Sequence, residues 1–104
     1  REALGDTDLS VRLNAAIGLS WLGDPSGASL LRDGAGRELY EADRERDAMR
    51  YARQDIVRDN RVKAIEALVR LGREEDRVLL EAISAEEEDL EVREAALRAS
   101  KTIE

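Results

Sequence analysis

Apolar residues recur three or four positions apart in three stretches of the chain, which is the spacing of one face of an α-helix. An aspartate stands just before each stretch, where a short carboxylate can accept hydrogen bonds from the free N–H groups of a helix start. A glycine follows the first two stretches, where a helix end favours a left-handed residue. The pattern therefore predicts helices that begin near Asp8, Asp59 and Asp89, the first two ending near Gly23 and Gly72.

The three stretches also share a sequence motif. Residues 8–12 read DLSVR, residues 89–93 read DLEVR, and Arg61 marks a third copy between them. A start signal, Asp24 followed by Pro25, opens a second, shorter helix after the first stretch, and residues 74–84 predict the same return after the second. Each copy is expected to be a helix, a tight turn and a helix. We predict one all-α domain with units at about 8–33, 59–84 and 89–104.

The stretch between the first two units does not fit the repeat. Its glycines at 34 and 36 break the preceding helix. Residues 37–57 then contain no helix breaker, and their arginines and acids are interspersed as on an exposed helix. We expect one long inserted helix over about 37–57.

Three aromatic residues are candidates for contact with a partner. Tyr40 and Tyr51 lie about three helical turns apart on the inserted helix and share a face. Trp21 stands at a repeat position where the other copies have Arg70 and Thr102. Two interpretations are open for each residue. In the first, Trp21 is packed beneath the inserted helix and the two tyrosines pack at the edge of that helix. In the second, the aromatic side chains are exposed anchors for a partner, since Trp and Tyr are enriched at interface hot spots.

The composition favours helices and excludes several kinds of chemistry. Charged residues make up 39% of the 104 residues and aromatic residues only 3%, so the core must be built from small aliphatic side chains. The chain has no Cys and no His, which removes thiolate nucleophiles, zinc–sulfur sites and the most frequent general base. No apolar run approaches the roughly 20 residues that span a bilayer. We expect a soluble, cytoplasmic protein that is not an enzyme and binds no cofactor, metal or membrane.

Negative charge is concentrated in one part of the chain, the acidic segment 74–91. It contains nine acids against Arg77, a charge of −8, whereas the whole chain carries −7. This balance disfavours nucleic acid as a partner, because phosphate backbones are bound by clustered Lys and Arg. The segment is either a solvated helix end and loop or a docking site for a basic protein. The candidate docking residues are Glu74, Glu75, Glu81, Glu86, Glu87 and Glu88.

The pattern Asp-x-x-Val-Arg-x-x-Ala-Ala-x-x-Leu-x-x-Leu-Gly-Asp, read from Asp8 to Asp24, resembles the HEAT-like repeat of phycobilisome lyase subunits and many bacterial scaffold proteins. The resemblance covers residues 4–31 and 59–103. It implies an α-α superhelix, or solenoid, of about three helix pairs. It also implies that a recurring basic residue packs on the repeat ridge and pairs with a neighbouring acid, the matching positions being Arg12, Arg61 and Arg93.

Three functional hypotheses follow. The leading one is a non-catalytic protein-interaction scaffold, whose second helices line a concave face and whose acidic segment docks a basic partner. The resemblance alone implies an alternative, part of a bilin lyase or isomerase. The third is an internal fragment of a longer solenoid that self-associates through its open ends, because residues 4–6 read like the end of a preceding helix.

Overall fold

The computed structural model describes residues 2–44 and 54–103, and within these ranges it contains helices and turns but no strand. Two short 3-10 helices span Glu2–Gly5 and Pro25–Gly27. The α-helices are α1 (Leu9–Trp21), α2 (Ala28–Ala35), α3 (Glu38–Arg44), α4 (Gln54–Leu71), α5 (Glu74–Glu86) and α6 (Leu90–Thr102). The predicted all-α class is confirmed. The arrangement as a solenoid of repeated pairs stays a prediction.

Local chemistry sets several helix ends where the sequence predicts them. The side chain of Asp8 accepts hydrogen bonds from the backbone N–H groups two and three residues on, at 2.8 and 3.4 Å. Asp89 does the same at the start of α6, at 3.0 and 3.3 Å. Gly23 and Gly72 have φ angles of 72° and 63°, the left-handed conformation in which a Cβ would be strained. These four residues therefore bound α1, α4 and α6.

The predicted helix start at Asp59 is wrong. Asp59 lies within α4, which runs without interruption from Gln54 to Leu71 and crosses the expected boundary between the insertion and the second unit. No glycine or proline breaks the helix there. The Asp59 carboxylate instead pairs with the ammonium group of Lys63, one turn on, at 2.9 Å. An aspartate within a helix is tolerated when its carboxylate is exposed to solvent and pairs with a cation one turn away.

The range of the predicted inserted helix includes α3, the start of α4 and residues that the structure does not describe. Helix α3 covers residues 38–44, and the start of α4 covers residues 54–57. Residues 45–53, which include Tyr51, lie outside the described residues. The expectation of a single helix over 37–57 is therefore tested only at its two ends.

The main apolar core is built around α4, which contacts α1, α2 and α6. Helix α5 packs mainly on α6. The core side chains are mostly alanine and branched aliphatics, which allow helices to approach closely. They are Ala16, Leu31, Ala35, Ala64, Ile65, Ala67, Leu68, Leu80, Val92, Ala95, Ala96, Ala99 and Ile103.

Polar contacts at the helix ends give the relative directions of the helices. Arg70, at the end of α4, donates to the hydroxyl of Ser20 near the end of α1, at 3.0 Å. Arg58, near the start of α4, donates to Asp89 at the start of α6, at 2.7 Å. Helices α1, α4 and α6 therefore run the same way. The side chain of Arg61, in the first half of α4, donates to the last carbonyl of α2 at 3.0 Å, so α2 runs the opposite way.

Tyr40 holds α3 against the start of α1. Its ring packs with Leu9 and Leu13 in a second apolar cluster. Only 1% of Tyr40 is exposed, and its hydroxyl donates to the carbonyl oxygen of Gly34 at 2.7 Å. The interpretation of Tyr40 as a partner-facing anchor is wrong, because a side chain this buried presents no surface to a partner.

Tyr40→Phe is expected to lower the free energy of unfolding by about 1–2 kcal/mol, because it removes the donor to a buried carbonyl while keeping the ring in place. Urea unfolding followed by helical circular dichroism measures this loss. An unchanged unfolding midpoint would show that the hydroxyl of Tyr40 does not contribute to stability.

Candidate protein-binding groove

Two carboxylates of the acidic segment are held by arginines from elsewhere in the chain. Asp76, whose side chain is 1% exposed, pairs with Arg32 of α2 at 2.5 Å, and this hydrogen bond raises the pKa of Arg32. Asp89 pairs with Arg58 of α4 at 2.7 Å. Burial opposes ionisation of Asp89, but hydrogen bonds from Arg58 and from backbone N–H groups outweigh it and lower the pKa of the carboxyl. These two acids tie α5 and α6 to the rest of the fold.

Glu87, just after α5, is the centre of a larger polar network. Its carboxylate accepts hydrogen bonds from Arg37 at 2.6 Å, from the backbone N–H of Asp89 at 3.0 Å, and from Arg61. Arg61 is 3% exposed and also donates to the carbonyl oxygen of Ala35. Burial raises the pKa of Glu87, but the donors outweigh it and lower the pKa to about 2. Glu87 is therefore a structural anion and not an exposed docking residue.

The three recurring arginines have different surroundings. Arg61 is buried and pairs with Glu87. Arg12 has a buried Nε without a hydrogen-bond partner, and Arg93 is exposed. Among the described residues, the acid pairing that the HEAT-like resemblance implies is present at Arg61 and missing at the Nε of Arg12.

The other candidate acids face solvent. Glu75 pairs with Arg73 at 2.7 Å, and Arg77 lies 3.7–3.8 Å from two further acids of α5. Ion pairs this exposed contribute little to stability. Because these acids are exposed, they are accessible to a partner. The exposed candidates are Glu74, Glu75, Glu81, Glu86 and Glu88.

A groove of about 790 Å³ runs between α2, the start of α3 and α5. Apolar side chains from both sides line part of it, namely Leu39, Leu79, Ala82 and Ile83. Its carboxylates are Asp33, Glu38, Glu86, Glu87 and Glu88, and its guanidinium groups are Arg32, Arg37 and Arg61. Five acids against three arginines give the lining a formal charge of −2.

The arginines of the groove are already engaged by acids of the chain. Arg32 is held by Asp76 and Arg61 by Glu87, and Arg37 pairs with Glu87 at 2.6 Å. The side chain of Glu88 is 86% exposed and lies 3.7 Å from Arg37. The accessible charge of the groove is therefore mainly negative, and it lies beside apolar side chains.

The sequence indicates only one side of this groove, the acids Glu86 to Glu88. Asp33, Glu38 and Leu39, on the other side, have no signal in the sequence. The turn at Gly36 brings α3 back beside α5, and no spacing in the sequence indicates that juxtaposition. A groove lined from two distant segments has no local sequence signal.

Trp21 lies outside the groove lining and is 70% exposed. The guanidinium carbon of Arg70 lies 3.9 Å from the centroid of its ring, a cation–π contact that covers one side of the indole. The following residue, Leu22, is 81% exposed. The expectation that an inserted helix covers Trp21 is not met in the described part of the chain.

Residues 2–44 and 54–103 contain no group of three or more acidic side chains placed to hold a metal ion. No helix in these ranges is both long and apolar enough to cross a membrane. In comparisons with known proteins, no family model, no curated protein and no solved structure matched the chain, so the resemblance to HEAT-like repeats rests on the motif alone and stays a prediction.

Proposed function

We propose that this chain is a non-catalytic interaction module that binds a basic, partly apolar segment of a partner protein in the groove between α2, α3 and α5. The observation that carries this proposal is the lining of the groove, where apolar side chains lie beside exposed acids. Leu79 and Ile83 would accept apolar side chains of the partner. Glu86 and Glu88 would pair with its Lys or Arg residues, which gives specificity and speeds association.

The directions of the helices support a scaffold of the solenoid type. Helix α5 starts beside Arg32 of α2, and its end lies near Arg37 just after α2, so α2 and α5 run the same way and line the groove together. In an α-α superhelix, stacked units create an extended concave surface, and partners bind there. The groove is the concave surface that this proposal assigns to the partner.

A fluorescent helical peptide with Lys and Leu on alternating faces is the probe that tests the proposal. We expect it to bind the protein with an affinity that falls as salt is added, because exposed ion pairs are screened. The double variant Glu86→Lys, Glu88→Lys should weaken binding about tenfold or more, measured by fluorescence anisotropy, since it replaces two attractions with two repulsions.

The matched control is the double variant Glu66→Lys, Glu94→Lys, which makes the same change in net charge at exposed positions of α4 and α6 outside the groove. It should change the affinity less than about threefold, because neither residue lines the groove and exposed charges away from a bound peptide are screened by salt. Equal weakening by the two double variants, or binding that ignores salt, would show that the groove is not the docking site.

A further inference from the structure

Helix α1 is almost free of charge on all sides. Arg12 is the one ionisable side chain among its 13 residues, whereas α4, α5 and α6 each carry at least five. The uncharged polar residues of α1 are Ser10, Asn14 and Ser20, and a helix with this little charge is normally buried on most sides. The outer side of α1 is nevertheless open, with Val11 41% exposed and Trp21 and Leu22 at its end exposed still more.

Most of this open side repeats the residue types by which α6 packs into the core. The shared motif aligns the two helices, so that a set of four positions in α1 corresponds to a set of four in α6. The pairs are Val11 with Val92, Ala15 with Ala96, Gly18 with Ala99, and Leu22 with Ile103. In α6 all four are at most 5% exposed and belong to the core. In α1 the same positions are half-buried or exposed, and Asn14 stands where α6 has the buried Ala95. This side is therefore a largely apolar face with one polar residue, and no helix among the described residues covers it.

The outer side of α6, on the far side of the described core, combines two exposed leucines with charged residues. The buried residues of α1 are Leu9, Leu13, Ala16 and Ser20, and the corresponding residues on the outer side of α6 are Leu90, Glu94, Leu97 and Lys101. All four of the latter are exposed, and two are charged. A head-to-tail stack of copies would have to desolvate these two charges, which is unfavourable without good partners. The outer side of α6 is therefore a poor partner for the apolar side of α1.

We propose that the open side of α1 binds the same side of α1 in a second copy of the chain, in a dimer with two-fold symmetry. A two-fold contact uses one patch on both subunits and closes after two copies, so both apolar faces are covered and both polar α6 faces stay in solvent. Because α1 carries so little charge, two chains of net charge −7 can meet there with little local repulsion, and the guanidinium of Arg70 beside Trp21 is positive.

The geometry around Gly18 and Trp21 supports close pairing. Gly18 lies midway along the face, and a Cβ added there would meet no heavy atom within 4 Å, so a second backbone can approach. Trp21 has one side of its ring covered by Arg70, while most of the residue is exposed. A helix of this length spans about 20 Å, so the contact belongs to the small interface class below about 1,200 Å². The expected dissociation constant lies in the micromolar range, about 1–100 μM.

Sedimentation velocity over a range of concentrations tests the dimer with the full chain. The wild type should pass from monomer to dimer and form nothing larger, and the emission of Trp21 should shift to shorter wavelength as the dimer forms. Gly18→Glu should remain monomeric, because it places a charge in the middle of the apolar face. The dissociation constant of the dimer should rise by at least about tenfold. The fold of this variant has room for the side chain, and circular dichroism verifies that it stays helical.

Leu97→Glu is the matched control, because it adds the same charge to an exposed apolar position on α6, 45% exposed, at the other end of the molecule. It should dimerise like the wild type. A wild type that stays monomeric, a Gly18→Glu variant that still dimerises, or a ladder of larger species that Leu97→Glu abolishes would each overturn the proposal. Peptide binding measured on Gly18→Glu tests the groove separately, since that residue does not line it.

Discussion

Replacing Glu87 with glutamine is expected to lower the free energy of unfolding by about 3 kcal/mol at neutral pH. The substitution keeps the shape of the side chain and removes the charge that Arg37 and Arg61 surround. Arg61 would then be a buried cation with neutral acceptors, the carbonyl oxygen of Ala35 and the amide oxygen of the new side chain, in place of its carboxylate partner. A buried charge that loses its partner is strongly destabilising. Urea unfolding followed by circular dichroism measures the loss.

The pH dependence of stability identifies the charge itself as the cause. Folding lowers the pKa of Glu87 from 4.5 to about 2. Its contribution is therefore fully present above about pH 4.5 and is lost as the pH falls towards 2. The wild type should lose stability across this window, and Glu87→Gln should lose less.

Glu88→Gln is the control for this prediction, because the side chain of Glu88 is 86% exposed. It should change the free energy of unfolding by less than about 0.5 kcal/mol at any pH in the window. Equal effects of the two substitutions, or a pH dependence unaltered by Glu87→Gln, would contradict the structural role of Glu87.

Gly27→Ala is expected to lower the free energy of unfolding by about 2–3 kcal/mol. A Cβ at this position would lie 2.5 Å from the Cβ of Ala16 and 2.8 Å from its Cα. The second atom belongs to the backbone of α1, so relief of the clash requires a shift of α1 relative to the start of α2. The contact that Gly27 permits therefore sets the spacing of these two helices.

Gly18→Ala provides the matched control, since the same methyl group there meets no heavy atom within 4 Å. In the middle of a helix it should raise the stability by about 0.5–1 kcal/mol through helix propensity. Thermal or urea unfolding of the two variants should give shifts of opposite sign. Shifts of the same sign would mean that α1 and α2 do not approach as closely as the structure indicates.

Much of the fold could be predicted because its determinants are local. Asp8 and Asp89 cap helices through hydrogen bonds to N–H groups two and three residues away. Gly23 and Gly72 end helices by adopting positive φ angles. Such short-range chemistry is visible in the sequence. Asp59 has the same local signal as Asp8, but α4 begins at Gln54 and continues through Asp59, so no helix starts there.

The burial of particular polar and aromatic residues could not be predicted, because it depends on distant partners. Glu87 lies 50 positions from Arg37 and 26 from Arg61, and the summed charge of the acidic segment does not reveal these pairs. The charged neighbours of Tyr40 leave open whether its ring packs or faces a partner, and in the structure the ring packs beside Leu9 and Leu13. The groove likewise depends on how α3 returns towards α5.

The most direct test of the proposed function is a map of peptide binding on the protein by nuclear magnetic resonance. The ¹⁵N-labelled protein would be titrated with the Lys-Leu peptide, and amide shifts followed residue by residue. We predict that the largest changes occur at the groove residues Leu39, Leu79, Ala82, Ile83, Glu86 and Glu88. Changes confined to the open side of α1 or to the outer side of α6, or no changes at saturating peptide, would contradict the assignment of the groove as the binding site.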